Sequence, residues 1–208
     1  APRCELKTGL RVTEKVLTIE KGEGFCQASE TSAAGHSPLN IGGKIYFSNA
    51  EGLSLNIASK ELNGSLLEHF LKLPTSGQIE IGTKIAGPYD KLVVSGEVKS
   101  PNLNITGFDV KNLRTNFVLP IAKNELEIKG LTAQIGPSGS LLIDDFTLGL
   151  AADLPFSLMM TAKQIPAEFL GEGLFKTTGK PSLSLAIENF TGHLEGRLLR
   201  PLQYQGQA

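Results

Sequence analysis

SGQIEIGTKIAGPYDKLVVSGEVKSPNLNITGFDVKNLRTNFVLPIAKNELEIKGLTAQIGPSGSLLIDDFTLGL, residues 76–150, is the stretch whose reading decides the fold. Apolar and polar residues alternate through it. Ile79, Ile81 and Ile85 share one parity, with Gln78, Glu80 and Lys84 on the other. Leu103 and Ile105 alternate with Asn102 and Asn104, and Leu126 and Ile128 with Glu125 and Glu127. Phe146, Leu148 and Leu150 alternate with Asp145, Thr147 and Gly149. Successive side chains on a strand point to opposite faces, so each segment has one apolar and one polar side. Breaks at Gly87-Pro88, Ser100-Pro101 and Gly136-Pro137 predict tight turns between strands. The expected architecture is an antiparallel β-meander with one apolar face.

Three arrangements bury such a face: a second sheet covers it, it closes into a barrel, or it curls into a trough around something apolar. Composition bears on the choice. Aromatic residues make up only 6% of the 208 residues, Trp is absent, and Gly accounts for 23. A sandwich core of this size normally uses large aromatic side chains to fill its centre. Here the apolar positions are nearly all Leu, Ile and Val with a scatter of Phe, which suits a smooth wall at least as well as an interlocked core.

Outward from the central stretch, Leu10/Val12 and Leu17/Ile19 predict two strands around Glu14-Lys15, and residues 25–27 a short third. Residues 30–38 (ETSAAGHSP) read as a loop. Ile41, Ile45 and Phe47 begin the next strand, and Leu53, Leu55 and Ile57 the one after. The period then changes. Leu62, Leu66, Leu67, Phe70 and Leu71 recur at helical spacing, Ser65-x-x-Glu68 makes a capping box, and Pro74 stops the run, predicting a short amphipathic helix.

LSLNIASKELNGSLLEHFL (residues 53–71) aligns without gaps with FSLMMTAKQIPAEFLGEGL (residues 156–174). In the second copy Pro166 falls at the expected first helical turn. A repeat on the order of one hundred residues favours an extended array over a closed globule. Leu183, Leu185, Ile187, Leu194 and Leu198 continue strands toward a Gln-rich end expected either to fray or to be cut from a longer chain. The predicted fold is therefore mostly β: an elongated antiparallel meander curled into an open U-shaped groove, with one or two short amphipathic helices. It forms one elongated domain over residues 1–208, divisible into repeats at 41–150 and 151–208, the second incomplete, with 1–40 a β extension.

The net charge of −1 and the absence of long Lys/Arg runs argue against nucleic acid as a partner. No apolar run approaches the roughly 18 residues of a membrane span. The chain begins APRC, so a signal or anchor is expected to lie outside these residues. Cys4 and Cys26 flank one predicted hairpin, and neither CxxC nor Cys/His metal spacing occurs. That favours a disulfide, and with it an oxidising compartment, over two unrelated free thiols.

Catalytic and metal signatures are lacking. His36, His69 and His193 lie far apart, each on a different kind of element. Asp144-Asp145 occupies adjacent strand positions facing opposite ways, so it reads as a bulge or turn rather than an acid/base dyad. Gly42-Gly43, Gly136-x-x-Gly139 and Gly171-x-Gly173 lack a phosphate-binding setting. No catalytic residue, metal site or cofactor is expected, and the chain is not expected to be an enzyme.

The segment VVSGEVKSPNLNITGFDVKNLRTNFVL followed by NELEIKGLTAQIG resembles the repeat of the TamB/AsmA-like family of bacterial envelope proteins. The matching positions are residues 96–98, 103–107, 110–113, 124–128 and 136–139, and the likeness spans residues 41–170. Lipopolysaccharide-bridge proteins and some secretion-system subunits share the pattern. The resemblance implies a U-shaped groove, a β-taco, lying in the periplasm. It implies phospholipid movement toward the outer membrane, or outer-membrane protein assembly. The family's N-terminal membrane anchor has no counterpart in these residues, which predicts a fragment or a shorter relative.

On that resemblance the expected partner is a phospholipid or other acyl lipid, with envelope membrane proteins as further partners. The lipid would line up against Ile79, Ile81, Leu103, Ile105, Phe117, Leu119, Leu126 and Ile128. Leu141, Ile143, Phe146, Leu148, Phe156, Leu158 and Met160 complete the expected lining. Two other functions fit the same alternation: an assembly subunit that docks partners along its sheet edges without carrying lipid, and a closed sandwich for a soluble ligand.

Overall fold

The computed structural model describes residues 3–27, 37–66, 74–105, 107–151, 153–166, 186–197 and 205–207. They form one antiparallel meander whose strands lie side by side in chain order. The first half comprises β1 (Arg3–Val12), β2 (Val16–Gln27), β3 (Ser37–Tyr46), β4 (Leu53–Asn63), β5 (Thr75–Gly87) and β6 (Val93–Ile105). The second comprises β7 (Phe108–Pro120), β8 (Glu125–Ile135), β9 (Gly139–Gly149), β10 (Pro155–Pro166), β11 (Ala186–Arg197) and the short β12 (Gln205–Gln207). The sheet is not closed into a barrel: β1 and β12 are its two ends. Single 3-10 turns, Tyr89–Lys91 and Ile121–Lys123, link β5 to β6 and β7 to β8.

The strands keep one apolar face because the chain slips its alternation wherever the sequence does. In β7, Asn112 adopts a left-handed conformation (φ 51°), and the inward positions step from Val110 to Leu113. In β8, Gly130 (φ 61°) makes the same step between Ile128 and Leu131. The register between β9 and β10 shifts at Asp144, placing Ile143 and Phe146 on one face. Asp144-Asp145 is thus the bulge that its sequence suggested. Each such bulge adds one residue to one strand and bends it.

The repeat is carried by β4 and β10. Leu53, Leu55, Ile57 and Ser59 of β4 occupy the positions of Phe156, Leu158, Met160 and Ala162 of β10. Both strands then bulge. The β4 register shifts between Ser59 and Leu62, and Gln164 of β10 has φ 50° before Ile165. Leu62 pairs with Ile79, and Ile165 with Ile187.

Several expectations need correction. Leu62 belongs to β4, so the predicted helix does not begin there. Only Ser65 and Leu66 of that stretch are helical among the described residues, and residues 67–73 lie outside them. The turn is capped by Asn63, whose Oδ1 accepts from the Ser65 N–H at 2.9 Å, and the Ser65 hydroxyl has no partner among the described residues. Asn63 stands two residues ahead of that donor, the usual N-cap relation. Pro166 ends a strand rather than opening a helix, and residues 167–174 lie outside the described set.

Ser100-Pro101 is no turn: it sits inside β6 at a bulge, where a residue lacking an N–H is tolerated. Residues 25–27 continue β2, Ser37 and Pro38 already belong to β3, and Gln205–Gln207 pairs with β11. Leu183, Leu185 and Leu198 lie outside the described residues.

Candidate functional site

Antiparallel partners point to the same face, so the register assigns every side chain. Phe117 pairs with Ile128, Ile128 with Phe146, Phe146 with Leu158, and Leu158 with Leu194, one row across five strands. Leu126, Leu148 and Phe156 form a second row, and Leu131, Ile143 and Met160 a third. Leu141 pairs with Ala133 and Ala162, and Leu103 with Val110, which in turn pairs with Ile135. Ile105 lies opposite Phe108, Leu119 opposite Val94, and Ile81 opposite Val98 and Ser59. Ile79 pairs with Leu62.

All the residues expected from the sequence to line a groove therefore share one face. The same face carries Val94, Val98, Val110, Leu113, Leu131, Ala133, Ile135, Ala162, Ile165, Phe190 and Leu194, which were not among the lining residues expected from the sequence. The signal for most of these was present: they keep the parity of their neighbours once each bulge is counted.

Coverage of this face is uneven. Toward one end of the strands most of it is buried: Ile79 is 1% exposed, Leu103 2%, Val110 3%, Ile135 1% and Ile165 0%. Leu62, Ile105, Phe108 and Leu113 there are half-buried. Along β10 burial runs the whole strand, through Phe156, Leu158, Met160 and Ala162. Leu141 is also buried. Toward the other end Val94, Phe117, Leu119, Leu126, Ile128, Phe146 and Leu148 are all half-buried, as are Ile81 and Ile143 near the middle. The edge strand β1 is exposed at every side chain described, including Leu6, Leu10 and Val12.

Glycine shapes the wall at two points. Gly43 (φ 140°) faces Leu55, where a Cβ would collide with the backbone of Ser54 and Leu55. At Gly96 a Cβ would strike the Gly82 carbonyl and the Phe117 ring, so the ring lies over bare backbone. Phe146 and Phe156 meet with ring centroids 6.4 Å apart, tilted by 38°.

The opposite face is polar. Glu97 accepts from Lys99 at 2.7 Å and from the Arg114 Nε–H at 2.8 Å. The Lys99 hydrogen bond, supported by Arg114, holds the Glu97 carboxyl below its ordinary range, against a weaker opposing effect of desolvation. Around Asn112, Gln134, Ser140, Thr161 and Lys163 this face has a shallow hollow of about 460 Å³.

The nearest approach to a catalytic constellation also lies here. His193 Nε2 is 2.8 Å from Ser157 Oγ and 3.4 Å from Glu195 Oε1. Serine and carboxylate meet the same ring nitrogen. In a nucleophilic triad the carboxylate holds the other nitrogen, so the hydroxyl is not activated by this arrangement. Among the described residues no cluster of His, Cys, Asp and Glu could hold a metal ion. His36 and His69 lie outside the described residues.

Cys4 and Cys26 face each other across β1 and β2 and are joined by a disulfide. Among the described residues no helix is long and apolar enough to cross a membrane. No family of known proteins, no curated protein and no solved structure matches the chain.

Proposed function

We propose that the chain is a β-groove that shields lipid acyl chains in the bacterial periplasm, in the manner of the TamB/AsmA-like proteins its central repeat resembles. In this reading the sheet curls across its strands into a U, and phospholipid passes along it between inner and outer membranes. The observation that carries the reading is the half-buried end of the apolar face. Phe117, Ile128, Phe146, Leu126 and Leu148 form continuous rows of hydrocarbon that keep access to solvent. Exposing that much apolar surface is unfavourable unless something apolar occupies it.

An acyl chain gains about 0.8 kcal/mol per methylene on leaving water, so a tail of about sixteen carbons is strongly held by any continuous apolar wall. The contact is non-directional, so no single position traps the chain and it slides. The head group remains at the seam, in water. At roughly 4.8 Å between strands, twelve strands make a trough on the order of 50 Å long. The Cys4–Cys26 disulfide suits an oxidising compartment.

A photo-crosslinking side chain at Ile128 tests this directly. It should capture acyl lipid in cells, whereas one at Lys129, on the polar face, should not; equal capture at both positions contradicts the groove. The exposed edge strand β1 favours one other reading, a subunit that recruits protein partners by strand addition. That reading expects protein adducts along β1 and none of lipid at Ile128.

A further inference from the structure

The hairpins between β1 and β2, β3 and β4, β5 and β6, β7 and β8, and β9 and β10 all lie along one margin of the sheet. Each presents one large apolar side chain to solvent. They are Val12 (65% exposed), Phe47 (55%), Tyr89 (40%), Ile121 (50%) and Leu150 (38%). On the opposite margin, the described residues of the turns after β6 and β8 are Gly107, Gly136, Pro137 and Ser138.

Scattered apolar residues on a surface need no explanation, but these are neither scattered nor loose. The turns are chained to one another by hydrogen bonds. The Phe47 N–H donates to the Lys15 carbonyl at 2.9 Å, and the Tyr89 hydroxyl to the Tyr46 carbonyl at 2.7 Å. The Ile121 N–H donates to Leu92 and the Leu150 N–H to Asn124, both at 2.9 Å. Four of the five apolar residues thus supply the group that ties their own turn to the one before. The margin is a braced rim, with its apolar side chains set by the backbone.

We infer that this rim rests on a lipid bilayer, its apolar side chains inserted among the head groups. The inference takes from the lipid-shielding reading the apolar groove alone. A trough whose rim rests on a bilayer lies along one membrane surface rather than reaching from one membrane to the other. Binding itself can be tested apart from that reading. Three features select a bilayer over a protein. Hairpins on one margin recur every second strand, so successive anchors stand about 10 Å apart. Protein interfaces need a contiguous packed core of about 800 Å² per partner, which single side chains separated by Ser48, Asn49, Asp90 and Asn124 do not supply. A fluid interface accepts isolated anchors at any spacing.

The rim's charges also cancel, Lys15, Lys91, Lys123 and Arg197 against Glu14, Glu51, Asp90 and Asp153, the last paired with Arg197. The surface it fits is therefore zwitterionic, held by apolar insertion rather than by attraction to anionic lipid. Finally, the rim borders the half-buried rows of the apolar face, so a bilayer beneath it would meet the mouth of the groove.

Co-sedimentation of the full chain with vesicles of phosphatidylcholine and phosphatidylethanolamine tests the inference. The wild-type chain should pellet with vesicles. The triple variant Phe47→Ser, Ile121→Ser, Leu150→Ser keeps every backbone hydrogen bond of the rim and should keep its thermal midpoint, yet its partition should fall by more than roughly a hundredfold. The pair Leu142→Ser and Met159→Ser, exposed on the polar face, should pellet as the wild type does. A wild-type chain that stays in the supernatant, a triple variant that pellets fully, or equal loss in the polar-face pair overturns the inference. Lipid extracted from the same preparations reports on the groove separately, so either idea can fail alone.

Discussion

The two ends of these strands carry the same apolar alternation and meet opposite fates. At one end Leu103, Val110 and Ile135 make a cross-strand row that is almost wholly buried. At the other, Phe117, Ile128 and Phe146 make an equivalent row that keeps solvent access. Residue type does not separate them, since both rows are large hydrocarbon side chains. Alternation decides which face a residue occupies; what lies over that face is decided elsewhere.

The sharpest way to break this comparison is to put a carboxylate into each row. Leu103→Asp buries an unpaired charge and should cost about 3–5 kcal/mol or more, enough to unfold much of the sheet. Ile128→Asp keeps access to water and should cost only about 1–2 kcal/mol. Urea titration followed by circular dichroism separates the two. Equal costs would mean that the open row is as closed as the other.

A second contrast sets the exposed edge against the centre. β1 contributes little burial, so the Cys4–Cys26 link, spanning 22 positions, is a main tie between β1 and β2. Replacing both cysteines with serine should weaken that hairpin by about 3 kcal/mol. Hydrogen exchange should then speed up in β1 and stay unchanged in β6 to β9. Acceleration across the whole sheet would show that the edge and the centre unfold together.

Much of this was legible in the sequence, because period-two alternation fixes faces even where strands are irregular. The bulges explain what was misread. Stepping from Ser59 to Leu62 spans three residues, as a helix turn does, so the end of β4 imitates a helical stripe. The same step from Ala162 to Ile165 made Pro166 look like a helix start. Ser100-Pro101 resembled a turn because proline lacks an N–H, yet a bulge tolerates that lack equally well. The Gln-rich end was expected to fray on composition, whereas strand pairing of Gln205–Gln207 uses backbone groups that every non-proline residue has. The rim was invisible, since single apolar residues in turns acquire meaning only when the hairpins stand in one row.

Smaller effects probe the repeat itself. Ser59 and Ala162 hold equivalent buried places in β4 and β10, at 1% and 0% exposure, and the Ser59 hydroxyl has no hydrogen-bond partner among the described residues. Ser59→Ala should therefore stabilise the chain by about 1 kcal/mol. A loss of stability would reveal a partner for that hydroxyl and set the two copies apart.

The smallest expected effect lies on the polar face. The Lys99 hydrogen bond, with Arg114 beside it, holds the Glu97 carboxyl below the ordinary carboxylate range. A carboxyl depressed on folding contributes stability fully present above the ordinary carboxylate range and loses it as pH falls through the lowered value. A Glu97→Gln variant should therefore show a shallower loss between neutral pH and strong acid. The difference should be slight, because the pairs lie at the surface.

The most direct measurement is mass spectrometry of whatever hydrocarbon travels with the purified chain. The account requires acyl lipid near one molecule per protein in the wild type and its loss in Ile128→Asp with the fold retained. Protein that emerges free of lipid from gentle, detergent-free purification, with the Phe117–Ile128–Phe146 row still intact, would contradict it.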